Sequence, residues 1–180
     1  MAVKRLFFGA FIDNSLFDGI YDDLKEAFEP TFQGKWTEQN NLHFTYKFLG
    51  NVEEDRIDEL VRYTKRSLTD INSVIKIAGL GRIPLTTNPQ LIFARISNRD
   101  KSVMYHFNNI EKSMIKLGFA PEKRKFLPHI TLLRIKKING EYNELMDKYK
   151  DLQFGFMKSY RVNLIESTLT QDGPIYNIIA

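Results

Sequence analysis

Two of the three histidines in this 180-residue chain stand in the same local frame, His43-Phe44-Thr45 and His129-Ile130-Thr131, nearly half the chain apart. Each triplet lies in an apolar run of strand character, Leu42 to Leu49 and Pro128 to Ile135. Strand residues two apart point the same way, so each histidine shares a face with its threonine. In the first strand Lys47 continues that face, while Leu42, Phe44, Tyr46 and Phe48 take the other. In the second, Ile130 and Leu132 turn away from it. One His-x-Thr alone reads best as a histidine bonded to its neighbours. Two in matching frames have a chemical use.

Imidazole, with an ordinary pKa of about 6.5, can accept or donate a proton near neutral pH. One histidine could take a proton from an attacking water while the other protonates the departing oxygen. The threonine hydroxyls would hold the non-bridging oxygens and fix the phosphorus between the rings. That is a design for phosphodiester cleavage without a metal. A zinc site would need a third protein ligand from an unmarked Asp, Glu or His106, and no metal-ligand spacing is present.

The elements that must carry these strands can be read from periodicity. Leu6 to Ile12 has the density of a buried central strand. A helix should follow, capped by Asp13 or Asn14, with Leu16, Ile20, Leu24 and Ala27-Phe28 inward and Pro30 beyond its end. The first His-x-Thr strand should close at Gly50-Asn51, followed by a helix over Glu53 to Leu68. Strands are expected at Val74–Leu80 and Leu91–Ile96, around a turn-rich stretch from Pro84 to Pro89. Ser102 to Leu117 reads as a helix with Gly118 as its stop, and Glu141 to Leu152 as another. Strands near Phe154–Leu169 and Ile175–Ile179 end the chain, with a turn at Asp172-Gly173-Pro174 between them.

The order helix, His-x-Thr strand, helix, strand pair thus occurs twice. It predicts an α+β fold of two similar lobes, each giving one strand to a shared cleft, in a single bilobal domain over 1–180. Hydrophobic residues make up 43% and charged residues 27%, enough apolar side chains for a sizeable core. With no cysteine, disulfides and thiolate chemistry are excluded. A net charge of +4 favours an anionic partner. The apolar opening stops at Asp13 without a cleavage site, and no run approaches a membrane span, so a soluble cytoplasmic protein is expected.

The words around the motifs extend the case. Trp36-Thr37-Glu38-Gln39-Asn40-Asn41-Leu42-His43-Phe44-Thr45-Tyr46-Lys47-Phe48-Leu49-Gly50 resembles the first signature of the 2H phosphoesterase superfamily, and more narrowly of RNA 2′,3′-cyclic phosphodiesterases, historically 2′-5′ RNA ligases. Phe126-Leu127-Pro128-His129-Ile130-Thr131-Leu132-Leu133-Arg134 resembles the second. Arg5-Leu6-Phe7, Gly79-Leu80-Gly81 to Arg95, and Ile165-Glu166-Ser167-Thr168 to Tyr176 also fit, so the resemblance spans essentially the whole chain.

The resemblance implies a pseudo-twofold bilobal fold, with two antiparallel sheets flanking a central cleft and the helices outside. It implies hydrolysis of an RNA or nucleotide 2′,3′-cyclic phosphate to a 2′-phosphomonoester, with reversible 2′-5′ ligation in some members. His43 would be the proton donor to the 3′ oxygen and His129 the proton acceptor from water. Thr45, Thr131 and Arg134 would bind the phosphate, with no cofactor. Strict alternation places Arg134 on the face opposite His129, so its strand must bulge or end near Leu133. Lys47 is the reverse case: its face favours the cleft, though relatives vary there.

Other substrates for the same site are a small cyclic nucleotide or an ADP-ribose cyclic phosphate. A non-catalytic RNA-end binder is the alternative from another class. A monomer is expected. Glu122-Lys123-Arg124-Lys125-Phe126 reads as a solvated loop, or as a backbone track beside a stacking aromatic. Trp36 is expected to anchor the core and His106 to be structural.

Overall fold

The computed structural model describes residues 2–180. Its strands are β1 (Val3–Phe11), β2 (Phe32–Trp36), β3 (His43–Glu53), β4 (Asp70–Ile71), β5 (Ile75–Ile83), β6 (Leu91–Ser97), β7 (His129–Ile138), β8 (Gln153–Met157), β9 (Tyr160–Arg161), β10 (Asn163–Leu169) and β11 (Pro174–Ile178). Its helices are α1 (Ile20–Phe28), α2 (Ile57–Thr64), α3 (Ser102–Lys116) and α4 (Asn143–Tyr149). Nine strands form one antiparallel sheet in the order β11-β10-β1-β3-β7-β6-β5-β8, with β2 also paired to β7; β4 and β9 form a separate ribbon.

The expected two sheets are therefore joined edge to edge. Their junction, between β3 and β7, is one residue pair long, Phe44 opposite Ile130. Both side chains are wholly buried. One half-sheet is β11-β10-β1-β3, and the other is β7-β6-β5-β8 with β2.

Helices cover one side only, and they cross over. α1 follows β1 but packs on the other half: Tyr21 Oη donates to the carbonyl oxygen of Thr37 at 2.6 Å, and Phe28 packs against Phe32 and Tyr149. α3 follows β6 but lies on the first half, where Glu111 meets Lys47 and the Leu117 carbonyl accepts from Arg56. Each half-sheet thus takes its cover from a helix that follows a strand of the other. Among the described residues no helix is long and apolar enough to cross a membrane.

Several boundaries differ from expectation for local reasons. The helix expected after β1 is split by Gly19, whose φ of 74° interrupts helical geometry. Before it, a short 3-10 turn at Asn14–Phe17 is capped by Asp13, whose carboxylate accepts from the Ser15 backbone N–H. The helix expected over Glu53–Leu68 is a 3-10 turn followed by the shorter α2, and α4 is likewise shorter than Glu141–Leu152. β3 runs on through Gly50, again at positive φ, to Glu53. The long run from Phe154 to Leu169 divides into β8, β9 and β10.

β2 was not expected. Its Phe-Gln-Gly-Lys-Trp has little strand character, and it persists because Gly34 lets the backbone lie against the Arg134 carbonyl, where a Cβ would collide.

Candidate active site

The junction of the two half-sheets is also where the two motifs meet. Antiparallel register about the Phe44–Ile130 pair sets position 43 towards 131 and position 45 towards 129. Each histidine therefore looks towards the other motif's threonine. His43, Thr45, His129 and Thr131 are half-buried on the face without helices, while Phe44 and Ile130 fill the core behind them. The histidines are diagonal neighbours, which in a regular ladder lie about 7–8 Å apart. That leaves room for a phosphoryl group between two rings.

The two halves hold their histidines identically. His43 Nδ1 lies 2.6 Å from the Asn41 carbonyl oxygen, and His129 Nδ1 lies 2.7 Å from that of Leu127. A carbonyl can only accept, so Nδ1 carries the hydrogen in both rings. Nε2 is left as the nitrogen that exchanges a proton. An aromatic ring backs each imidazole, Phe7 behind His43 and Phe93 behind His129, both with centroids 5.1 Å away.

Both strands then bulge at the same step. β1 pairs Gly9 with Thr45 but Phe8 with Lys47, leaving Tyr46 as an extra residue. β6 pairs Phe93 with Thr131 but Ile92 with Leu133, leaving Leu132 extra. Each bulge turns the following residues over. Arg134 consequently emerges on the His129 face, and its charge reaches both histidines.

Lys47 goes the other way, correcting the expectation that it lines the cleft. It is buried against α3, with Nζ 2.7 Å from Glu111 Oε2 and 2.9 Å from the Ala120 carbonyl oxygen. Strict alternation failed here because the bulge falls between Thr45 and Lys47. The residue that takes the cleft face instead is Phe48, the counterpart of Arg134 in the first half. Phe48 is 62% exposed.

Burial lowers the pKa of His43; its Asn41 hydrogen bond opposes the shift, and the charges of Arg134 and His129 add to it. His129 is lowered by burial and by Arg134, against the Leu127 hydrogen bond. Two neutral imidazoles at neutral pH are the resting state these shifts favour. Tyr176, on β11, sets its ring 5.0 Å from His43, edge-on. Burial raises its hydroxyl pKa, so it remains a neutral donor. With Phe7, Phe11 and Phe48 it makes the His43 side an aromatic wall.

That wall was not singled out as site residues, although Phe7 and Phe11 alternate in phase along an apolar strand. Tyr176 could be placed only by the β10–β11 hairpin.

Trp36 packs edge-on against Tyr21 and Phe28, an anchor of the core. Phe126 stacks on Phe107 at 4.1 Å and so is not a free platform for a base; Lys123, Arg124 and Lys125 before it are exposed. His106 is buried on α3, away from both motifs. Among the described residues no three His, Asp or Glu side chains cluster as metal ligands.

Comparison with known proteins identifies the family and the fold. The model of the LigT-like phosphoesterase family matches the chain twice, over residues 18–93 and 101–176, once for each His-x-Thr strand. An RNA 2′,3′-cyclic phosphodiesterase of Aquifex aeolicus is 32% identical over 99% of this chain and 96% of its own. One from Methanocaldococcus jannaschii is 34% identical over 81% of this chain and 82% of its own. Among solved structures, the TT0787 protein of Thermus thermophilus superposes with a TM-score of 0.77 at 21% identity, covering 98% of this chain and 95% of its own. Escherichia coli LigT in complex with 3′-AMP gives 0.72 at 19% identity, covering 99% and 97%.

Proposed function

We propose that this chain, which belongs to the LigT-like phosphoesterase family, hydrolyses RNA 2′,3′-cyclic phosphate ends to 2′-phosphomonoesters through His43 and His129, without a metal. The observation that carries the reading is the meeting of the two His-x-Thr frames across the Phe44–Ile130 pair, with both Nε2 atoms free of the backbone.

In this reading the terminal phosphate lies between the rings. Thr45, Thr131 and Arg134 hold its non-bridging oxygens and stabilise the charge that builds on them. His129 Nε2 takes a proton from water as the water oxygen bonds to phosphorus. The bond from phosphorus to O3′ breaks, and His43, protonated on Nε2, gives its proton to that oxygen. The product keeps the phosphate on O2′. The phosphate's negative charge favours protonation of a neighbouring imidazole, which offsets the lowering by burial. Arg134 lowers the pKa of both rings, so the division of labour between the histidines rests on the family resemblance and not on its charge.

The test is a short RNA ending in a 2′,3′-cyclic phosphate, incubated in excess EDTA with the wild type, His43→Ala and His129→Ala. The expected result is opening to a 2′-phosphate by the wild type, with each variant slower by about 10²–10⁴-fold. Full activity in either variant, or abolition by EDTA, would overturn the mechanism.

A further inference from the structure

The face that carries His129 does not stop at the catalytic junction. Arg95 on β6 lies directly opposite His129. Two residues on, Ser97 lies opposite Lys76 of β5, and Lys76 lies opposite Phe156 of β8. Directly paired residues share a face of the sheet. A continuous row therefore leads outward from His129 through Arg95 and Lys76 to Phe156. The alternate positions Ile75, Ile77, Ile96 and Met157 fill the core behind it.

The row borders a cavity of about 420 Å³, lined by Lys76, Arg95 and Lys150 together with Asp151, and the exposed Lys150 ammonium also lies 4.0 Å from Asp147 Oδ1. Gly79, at φ 82°, makes the cavity wall: a Cβ there would lie 2.6 Å from the Lys150 carbonyl oxygen. The Gly79 N–H donates to Leu152 at 2.6 Å, drawing the end of α4 and its Lys150 over the sheet. Arg95 Nε donates to the Leu80 carbonyl at 3.1 Å, which orients the guanidinium. Its other N–H groups have no partner among the described residues. Phe156 is 61% exposed, with the Lys76 ammonium 5.9 Å from its ring centre.

The first half differs in character. The matching face beyond His43 is mainly aromatic, with Phe7, Phe11, Phe48 and Tyr176, and Arg5 joins it from two residues before Phe7 on β1, near Tyr176. Cations in a row with an exposed aromatic are what a single strand requires: charge for successive phosphates and a ring for a base.

We propose that the open face of β6, β5 and β8 binds the sugar–phosphate backbone of single-stranded RNA upstream of the terminal cyclic phosphate. This rests on the activity proposed above and makes the polymer, not the mononucleotide, the favoured substrate. The three strand spacings from β7 to β8 span about 14 Å, so several nucleotides can lie along the row.

The test compares kcat/KM for 2′,3′-cyclic AMP with that for a single-stranded RNA of about six nucleotides ending in a cyclic phosphate. Wild type and the Lys76→Gln/Lys150→Gln double variant are measured at low and high salt. Two phosphate contacts on a single strand give a salt slope of about 1.4, or about a sevenfold loss between 50 and 200 mM salt. The wild type should favour the hexamer and lose that preference with salt; the variant should show a smaller preference and a flatter slope. Equal use of both substrates by the wild type would overturn the track and leave the activity standing, as would an unchanged preference in the variant. Were neither substrate hydrolysed, the activity itself would fall. Direct binding of the hexamer would then decide the track, which a salt slope equal in wild type and variant would overturn.

Discussion

Arg134 and Phe48 occupy equivalent places, five residues after their histidines and one step past matching bulges. One is a cation and the other an aromatic ring, so at this position the charge comes from the β7 half alone. Because burial and Arg134 both lower the histidine pKa values, the pH dependence can be given a sign. The base must be neutral, so the rate falls below its pKa; the acid must be protonated, so the rate falls above its own. With both depressed, the bell of kcat/KM should centre on the acid side of about 6.5. Arg134→Ala should cut kcat by about 10²–10³-fold if the guanidinium stabilises transition-state charge. The same substitution should move both limbs of the bell to higher pH, since a lowering influence is gone from both rings. An unmoved profile measured over pH 4 to 9 would separate Arg134 from the histidines. The motif residues were legible because two-residue spacing survives from His to Thr. It fails beyond Thr45 and Thr131: the bulge near Leu133 was expected only through the role the resemblance gives Arg134, and nothing in Tyr46-Lys47 marks the first bulge.

Among the elements, the segment leading into β7 depends on the displaced Lys47. Glu111 binds Lys47 through one carboxylate oxygen and the Glu122 backbone N–H through the other, while Lys47 also holds the Ala120 carbonyl. A helix, a catalytic strand and the approach to His129 are thus pinned at one point. Removing one partner of such a buried pair strands the other, at a cost of about 3–5 kcal/mol. Lys47→Ala should lower stability by that order in urea unfolding, and slow catalysis without shifting the pH profile. A second test concerns β2. Gly34→Ala forces a methyl group into the Arg134 carbonyl, so it should lower the melting temperature together with kcat/KM. Loss of neither would mean that β2 can shift without disturbing β7. The apolar strands were legible from composition, and the helices from their stripes. β2 was not, because a close backbone approach at glycine leaves no hydrophobic pattern. Helix ends set by Gly19 and by 3-10 turns were equally hidden.

At the scale of the whole molecule, the two half-sheets share one residue pair and exchange helical cover. Phe44 sits at that junction, and Phe44→Ala should cost about 3–5 kcal/mol as a buried aromatic truncation. A single unfolding transition seen by both fluorescence and circular dichroism is the expected behaviour, with two transitions arguing against coupled halves. The repeated order of elements foretold the duplication, but not which helix covers which sheet, since that is decided by packing between distant segments. The exchange has a consequence for how such a chain can be divided. A fragment ending near Asp100 would contain α2 but leave its sheet without α3, and its own α1 without the β7 strand beneath it. Neither piece could bury its apolar face alone, yet the two pieces together hold every missing partner. Severed in the exposed turn at Arg99–Asp100, the molecule should behave as a pair of complementary fragments: aggregation-prone apart, and restored to one active particle when refolded as a mixture.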